Sequence, residues 1–157
     1  MTDAIEIRPA TMAEVDGVVA SCTALFAEDA GTRDLLRNPG WPATYGGGWC
    51  ADLIADPGAL VLVAVGQGKV GGHLVGTFSE PSDMWIAPRA ELVSMYVAAP
   101  LRGAGVGGRL VDGFVTWARD RGATRLQVDA YASNEAALGL YQSRGFSPQS
   151  ITLTLDR

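Results

Sequence analysis

The chain has 157 residues, of which 48% are hydrophobic and 18% are charged. This composition suits one globular domain with its own core and excludes a disordered chain. The formal net charge of −5 argues against a nucleic-acid surface, and no run of eighteen apolar residues predicts a membrane span. The opening "MTDAIEIRPAT" lacks the basic and apolar regions of a secretory signal, so none is expected.

The cysteines and the histidine limit the kinds of site that the chain can build. Cys22 and Cys50 are too few for a disulfide framework and show no metal-ligand spacing, so they are interpreted as buried thiols. Free thiols indicate a reducing compartment, and a cytoplasmic protein is expected. His73 is the single histidine, which excludes a multi-histidine metal site. We interpret it as a structural residue and expect no metal.

The first half of the chain predicts a strand, two helices and a pair of strands. The strand lies in "AIEIR" (4–8), and the first helix follows a capping box formed by Thr11 and Glu14. The second helix is expected over residues 44–55, although three glycines weaken it. The apolar run 59–65 and the strand 70–78 are joined by the turn "GQGK", which indicates a hairpin.

The second half alternates strands with helices. A strand over 90–97 leads into a glycine-rich stretch, and an amphipathic helix follows it. Next come the strand "TRLQVDAY" (124–131), a short helix within "SNEAALGLYQSRGF" (133–146) and a closing strand "ITLTL" (151–155). The predicted order is β-α-α-β-β-β-α-β-α-β, an α/β sheet with an antiparallel N-terminal part. We find no linker, so one domain over residues 1–157 is expected.

The glycine-rich stretch "APLRGAGVGGRL" (99–110) admits three interpretations. A loose linker is excluded, because a strand precedes it and a helix follows with no polar spacer. Gly103, Gly105 and Gly108 spell the dinucleotide fingerprint, and Asp129 stands where a ribose-binding acid would follow. Too little chain follows for a second half of that fold, and Arg102 has no role there, so this Rossmann interpretation is a distant alternative. The third interpretation is a cradle for another pyrophosphate, formed by unpaired N–H groups at a helix N-terminus.

The segment "RGAGVG" fits the pattern R/Q-x-x-G-x-G/A, and here the chain resembles the GNAT superfamily of N-acetyltransferases. The resemblance covers nearly the whole chain, including "ELVSMYV", "GRLVDGFVTWA", "LQVDAYASN" and "NEAALGLYQSRGF". One departure is that the proline of "VAAP" lies one residue later than usual. The resemblance implies a mixed, mostly antiparallel sheet with helices on both faces and acetyl-CoA as the cosubstrate.

The resemblance also implies where the cofactor is held. The glycine-rich backbone, with the charge of Arg102, would bind the pyrophosphate of CoA, because a Cβ would keep the chain away from phosphate. The peptide-like pantetheine arm would pair with the edge of the strand 90–97. Asn134 resembles a cofactor-contacting asparagine, and it also suits a helix N-cap. The expected cofactor contacts are Met95, Tyr96, Val97, Arg102, Gly103, Ala104, Gly105, Val106, Gly107, Gly108, Asn134 and Tyr141.

Three residues are predicted to carry the chemistry. Tyr141 lies where the family places the tyrosine that protonates or hydrogen-bonds the CoA sulfur; the alternative is a core tyrosine. Glu91 and Asp129 lie at positions where family members carry a general base, and a strand-end acid in water is the alternative for both. Which of these carboxylates, or water, accepts the amine proton is left open.

The resulting functional hypothesis is an acetyl-CoA-dependent N-acetyltransferase acting on a primary amine of a small molecule or peptide. A non-catalytic acyl-CoA-binding sensor or interaction domain on the same fold is the alternative. The acidic segment "FAEDAGTRD" (26–34) would receive a cationic acceptor or remain a solvated loop. The aromatic residues that would line the acceptor pocket or pack in the core are Trp41, Tyr45, Trp49 and Trp85. No nucleic-acid or membrane partner is expected, and a homodimer is left open.

Overall fold

The computed structural model describes residues 4–157. Residues 1–3 therefore lie outside the described part. They begin both the expected domain of 1–157 and the opening segment in which no secretory signal is expected. Within residues 4–157, five strands form one sheet: β1 (Glu6–Pro9), β2 (Ala59–Gly66), β3 (Lys69–Ser79), β4 (Arg89–Val97) and β5 (Arg125–Val128). The same residues form five α-helical segments: α1 (Val15–Leu25), α2 (Gly31–Arg33), α3 (Trp41–Ala55), α4 (Val106–Asp120) and α5 (Glu135–Ser143).

The strands lie side by side in the order β1-β2-β3-β4-β5. All neighbouring pairs are antiparallel except β4 and β5, which are parallel and connected through α4. A parallel pair needs such a crossover, whereas the antiparallel pair β2 and β3 closes with the two-residue turn Gln67–Gly68. The predicted α/β class, with a mixed and mostly antiparallel sheet and helices on both faces, is confirmed. A Rossmann fold begins with two consecutive β-α-β units whose strands are parallel, and within residues 4–157 only β4 and β5 are parallel. The Rossmann interpretation of the glycine-rich stretch is therefore wrong.

The sheet separates two hydrophobic clusters. Phe114 and Leu110 of α4 pack with Leu74 on one face. Val18 of α1 and Cys50 of α3 pack with Val63 on the other face. This arrangement explains the continuous apolar run of β2, because a strand covered on both faces buries every side chain.

Local signals account for the helix starts. The N–H of Thr11 donates to Glu14 Oε1 at 2.8 Å, as the capping box predicts, and a 3₁₀ turn over Met12–Glu14 leads into α1. The helix α3 begins at Trp41, three residues before the predicted start, with Pro42 in its first turn. Proline is tolerated there because the first N–H groups of a helix have no acceptor. No helix within residues 4–157 is long and apolar enough to cross a membrane.

The predicted closing strand "ITLTL" is wrong, because residues 151–155 lie outside the sheet and form no regular structure. A strand needs backbone partners and a surface for its apolar face, and among residues 4–157 the segment pairs with no strand and leaves Ile151, Leu153 and Leu155 exposed. The preceding strand is also shorter than predicted, since β5 ends at Val128 and leaves Asp129 in the connection that follows.

Candidate active site

The glycine-rich stretch places a row of free backbone donors at the start of α4. Gly105 is the N-cap of α4 with φ of +78°, and Gly103 has φ of +82°. The first N–H in this region to reach a backbone acceptor is that of Arg109, which donates to Gly105 O at 3.0 Å. Within the described chain, the six N–H groups of residues 103–108 have no protein acceptor. Six free donors at the positive end of a helix form a binding site for an anion.

The glycines of this stretch are required for different structural reasons. A Cβ at Gly103 or Gly105 would meet nothing within 4 Å, so there the requirement is the left-handed backbone conformation and the exposed position. A Cβ at Gly108 would instead collide with the guanidinium of Arg144, and at Gly107 it would crowd Leu140. The last two glycines therefore allow α5 and its C-terminal end to approach α4.

The sheet opens beside these donors. The pairing of β4 with β5 stops at Leu92 and Val128, although β4 continues to Val97. A bulge at Val93 shifts the register between β3 and β4 at the same level. The stretch of β4 from 93 to 97 is therefore paired with β3 on one side and unpaired on the side that faces β5. An exposed strand edge of this kind can pair with a peptide-like ligand.

Three of the predicted cofactor residues lie along this edge. Met95 and Val97 pack against the cluster beneath α4. Tyr96 points to the opposite face, where its hydroxyl donates to Glu28 Oε1 at 2.7 Å. Burial, together with the bond to Glu28, raises the pKa of Tyr96, so its phenol holds its proton.

Arg102 is held by the protein itself. Its Nε donates to Val97 O at 2.9 Å, and its Nη2 donates to Glu28 Oε2 at 2.5 Å. These bonds fix the side chain between the end of β4 and the π-helical turn Phe26–Ala30 that follows α1. The hydrogen bond from Arg102, followed by that from Tyr96, holds the pKa of Glu28 below its usual range. The sequence did not predict this link, because Glu28 and Arg102 are 74 residues apart.

A second link of the same kind connects the π-helical turn with α5. Asn134 is the N-cap of α5, where its Oδ1 accepts from the N–H of Ala137 at 3.1 Å. Its Nδ2 donates to Asp29 Oδ1 at 3.1 Å, and Asp29 also accepts from Arg33 Nε at 2.5 Å. The N-cap interpretation of Asn134 is confirmed. Glu28 and Asp29 thus contact Arg102 and Asn134, which begin the two segments predicted to bind the cofactor.

Tyr141 lies on α5 with its ring packed edge-on against Phe146, at a centroid separation of 6.0 Å. It is buried, with 8% of its surface exposed. This burial, with a smaller contribution from the charge of Asp29, raises the pKa of Tyr141 to about 12. The phenol is therefore protonated at neutral pH, which is the form that can donate to a sulfur.

The two predicted carboxylate bases lie on either side of the opening in the sheet. Glu91 is partly buried and pairs with Thr77 on β3 and with Gln127 on β5, one residue before the strands separate. Asp129 is exposed and follows directly after the last paired residue of β5. Both are placed near the opening, and their distance from a reacting amine depends on how an acceptor lies.

Three of the four aromatic residues left undecided by the sequence form a cluster. Trp41 stacks on Phe26 at 6.0 Å and contacts Tyr45 and Trp49 at 6.4 and 5.6 Å. This aromatic cluster, formed by Phe26, Trp41, Tyr45 and Trp49, lies next to the turn that carries Glu28 and Asp29. Trp85 lies elsewhere, under the guanidinium of Arg89 at 3.9 Å.

His73 is fully buried within a polar group of its own. Ser21 Oγ lies 2.5 Å from its Nδ1, and Ser94 Oγ lies 2.8 Å from its Nε2. Burial lowers the pKa of His73 to about 4, so the ring is neutral at physiological pH. The neighbouring thiol of Cys22 has its pKa raised to about 11 by burial. These groups hold α1 against β3 and β4, which agrees with the structural role predicted for His73. Among residues 4–157, no group of three His, Cys, Asp or Glu could hold a metal ion.

Comparison with known proteins identifies relatives of this arrangement. The model described as the acetyltransferase (GNAT) family matches residues 32–146, which is more than half of the chain. No functionally curated protein matches the sequence.

Solved structures share the fold at low identity. A mutant of the BH1408 protein from Bacillus halodurans is 20% identical, with a TM-score of 0.87, and covers 97% of this chain and 99% of its own. An aminoglycoside N-acetyltransferase, AAC(6')-Iy in complex with CoA, is 13% identical at TM-score 0.75 and covers 100% and 97%. A ribosomal-protein-alanine N-acetyltransferase from Brucella melitensis is 18% identical at TM-score 0.69 and covers 98% and 99%.

Proposed function

The chain belongs to the GNAT family of acetyltransferases, and on that premise we propose that it transfers the acetyl group of acetyl-CoA directly to a primary amine. The acceptor is a small molecule or a peptide. The observation that carries the proposal is the opening between β4 and β5 beside six free N–H groups. The proposed enzyme is one domain over residues 1–157. A cytoplasmic location agrees with two cysteines that are both buried and free.

In this proposal the glycine-rich loop binds the pyrophosphate of CoA through the N–H groups of residues 103–108. Arg102 adds charge, and the unpaired edge at Met95, Tyr96 and Val97 pairs with the pantetheine amides. Asn134, the N-cap of α5, and Tyr141 on the same helix are the remaining proposed cofactor contacts. Acetyl-CoA, when bound, supplies an activated acetyl thioester.

The attacking amine must be neutral. An alkyl amine has a pKa near 10.4, so removing its proton at pH 7 costs about 4–5 kcal/mol. Glu91 is the proposed acceptor of this proton, directly or through water, because it is partly buried beside the opening. Asp129 is the second choice because it is exposed to solvent and has the shorter side chain.

Tyr141 is the proposed acid. Its protonated phenol donates toward the departing sulfur as negative charge develops there. Since a thiol has a pKa near 8.5, complete transfer from a phenol with a pKa of about 12 is uphill. The hydrogen bond to the sulfur is therefore the main contribution of Tyr141, and solvent restores any proton that it gives up.

The acceptor amine is proposed to bind along the aromatic cluster. Apolar rings next to Glu28 and Asp29 suit an amine that has an apolar body and a cationic head, because the rings and the carboxylates both attract it. Two of the structural neighbours are named as N-acetyltransferases of an aminoglycoside and of a ribosomal protein, which supports an amine as acceptor.

A panel of primary amines and peptides, assayed for free thiol release from acetyl-CoA, tests the proposal. Acetylation of at least one amine, abolished or strongly reduced in Tyr141→Phe, supports it. CoA binding without turnover on any amine would instead favour the non-catalytic sensor. The absence of any CoA binding would overturn both.

A further inference from the structure

A bulge in β4 determines which way the side chains of its unpaired part point. Ser94 pairs with Val75 of β3 and Leu92 pairs with Gly76, so Val93 between them is an extra residue without a partner on β3 in the described chain. One extra residue reverses the alternation of the side chains that follow it. Leu92 lies in the core beneath α4, and Ser94 therefore points to the opposite face of the sheet, towards α1.

The stretch of β4 after this bulge has less backbone support than a regular inner strand. Residues 94–97 pair with β3, and among residues 4–157 nothing pairs with them on the side of β5. The bulge also interrupts the ladder that remains. Backbone bonds alone therefore leave this edge freer to move than the paired part of β4, and side-chain bonds to other elements carry more of its positioning.

Ser94 is bonded to an imidazole ring that is held at both nitrogens. Its Oγ lies 2.8 Å from Nε2 of His73 on the neighbouring strand, and the thiol of Cys22 is a weaker partner of the same nitrogen at 3.5 Å. His73 is fully buried, and its Nδ1 lies 2.5 Å from Ser21 Oγ on α1. A serine hydroxyl both donates and accepts, so these bonds form with either tautomer of the neutral ring. The first residue after the bulge is thus connected through one buried side chain to α1.

A second bond from the same edge is more exposed to water. Tyr96 donates to Glu28 at 2.7 Å, and this bond lies at the surface. The bond of Ser94 is partly buried, and its partner His73 is inaccessible to water. Loss of a bond costs most where the remaining partner stays buried and unsatisfied. The bond between Ser94 and His73 is therefore the stronger constraint on the edge.

We propose that His73 is a positioning residue for the cosubstrate: through Ser94 it fixes the bulge and holds the edge 93–97 in the shape that pairs with the pantetheine arm of acetyl-CoA. This inference rests on the proposed acetyl transfer. His73 is buried beneath the strand, so it acts through Ser94 and the backbone and not on the thioester itself. The constraint matters because a misplacement of about 1 Å, even from a distant change, can cost about a hundredfold in rate.

A histidine that only joins α1 to the sheet would behave differently. In that case the two serines on its ring are equivalent, and the loss of either hydroxyl changes stability and nothing else. If the ring positions the edge, Ser94 affects the binding of acetyl-CoA and Ser21 does not. The two serines therefore separate positioning from packing.

Ser94→Ala and Ser21→Ala form the matched pair for calorimetric titration with acetyl-CoA, at a temperature where both are folded. Each should lower the melting temperature, because a buried nitrogen loses a partner. Ser94→Ala should also weaken acetyl-CoA binding by about three- to tenfold, the equivalent of one hydrogen bond, and Ser21→Ala should bind like the parent. Ser94→Thr restores a hydroxyl on a residue that suits a strand and should recover the affinity. Ser94→Cys, a weaker donor of similar size, should fall between Ser94→Ala and the parent.

Hydrogen exchange of the ligand-free protein tests the same constraint without acetyl-CoA. The amides of residues 93–97 that bond to β3 should exchange about three- to tenfold faster in Ser94→Ala than in the parent. Ser21→Ala should leave them at the parent's rate. The amides in the middle of α4 are the internal reference and should be unchanged in both variants.

The two measurements separate failure of this inference from failure of the proposed function. If Ser94→Ala and Ser21→Ala show equal affinities for acetyl-CoA and equal exchange at residues 93–97, His73 has a packing role only, and the proposed acetyl transfer is unaffected. Equal loss of affinity in both variants would overturn the inference in the same way. If the parent binds no acetyl-CoA, the proposed function fails, and the positioning role fails with it whatever the exchange shows.

Discussion

Glu28 and Arg102 form a salt bridge of 2.5 Å between the π-helical turn after α1 and the residue that begins the glycine-rich loop. The carboxylate of Glu28 is thus hydrogen-bonded to the guanidinium of Arg102, which is proposed to bind the pyrophosphate. Both side chains are about half exposed, so the pair alone contributes little to stability. Its consequence concerns ligand binding, because phosphate must compete with Glu28 for the same donors.

Glu28→Gln is therefore expected to tighten CoA binding by about two- to tenfold, since the charge that competes for Arg102 is removed. Arg102→Ala should weaken it by about ten- to a hundredfold, the effect of one charge-assisted hydrogen bond. In the double variant the gain from Glu28→Gln should vanish. Isothermal titration calorimetry measures all three constants.

Glu14→Gln is the control for that series. Glu14 pairs with Arg8 at 2.6 Å in another part of the fold, so its loss should leave CoA affinity unchanged. A gain from Glu28→Gln that persists without Arg102 would show that the carboxylate acts on the ligand by a different route.

Tyr141→Phe is expected to lower kcat by about 10²–10³, the effect of losing one hydrogen-bond donor to developing negative charge, and to leave the affinity for CoA nearly unchanged. Phenylalanine preserves the ring that packs on Phe146, so the melting temperature should remain close to that of the parent. Steady-state kinetics with any accepted amine provide the measurement. Undiminished turnover would return Tyr141 to a packing role.

Glu91→Gln should remove the rise of kcat/KM on the acidic side of its pH profile, and Asp129→Asn should do so less. The expected order follows from the partly buried position of Glu91 and the exposed position of Asp129. If Asp129→Asn has the larger effect, the two roles are exchanged. If neither variant changes the profile, the amine loses its proton to water.

The buried His73 predicts a dependence of stability on pH. Its pKa of about 4 lies below the value of about 6.5 expected in the unfolded chain. The unfolded state therefore binds a proton first as the pH falls, and the folded state loses up to about 3 kcal/mol between pH 6.5 and pH 4. Urea unfolding across this range should show the loss.

The variant His73→Gln isolates the contribution of the histidine. It is expected to be less stable near pH 7, because Ser21 and Ser94 lose a buried partner. Its stability should fall less between pH 6.5 and pH 4 than that of the parent, since the carboxylates titrate equally in both. Equal slopes would mean that His73 is protonated in the folded protein well above pH 4.

The fold was accessible from the sequence wherever a local pattern determined the element. The apolar run of β2, the capping box at Thr11 and the strand–loop–helix transition around Gly105 each depend on neighbouring residues. The closing strand "ITLTL" has an equally clear pattern, yet it does not join the sheet of its own chain. A strand requires a partner that alternation does not identify.

The parts of the site that the sequence left undecided depend on contacts between distant segments. The acidic composition of residues 26–34 predicts either a cationic acceptor or a solvated loop, whereas the bonds of Glu28 to Arg102 and Tyr96 could not be predicted from spacing. The aromatic cluster depends likewise on how α3 packs against the turn after α1. Spacing identified the types of residue in the site, and only the packing of the elements shows which of them meet.

The central claim is that the glycine-rich loop binds acetyl-CoA through its backbone, and two glycines of the same helix test it directly. Gly105 precedes α4 with φ of +78°, and Gly122 follows it with φ of +86°; a Cβ at either would meet nothing within 4 Å. Alanine at either position should therefore cost a similar 1–2 kcal/mol or so of backbone strain.

The decisive measurement is the dissociation constant of acetyl-CoA for Gly105→Ala and Gly122→Ala at matched concentrations of folded protein. We expect Gly105→Ala to weaken binding by about tenfold or more, because its Cβ would occupy open space beside the free N–H groups proposed to bind the pyrophosphate, and Gly122→Ala to bind like the parent. Equal affinities for both variants and the parent would contradict the claim that this loop is the cofactor cradle.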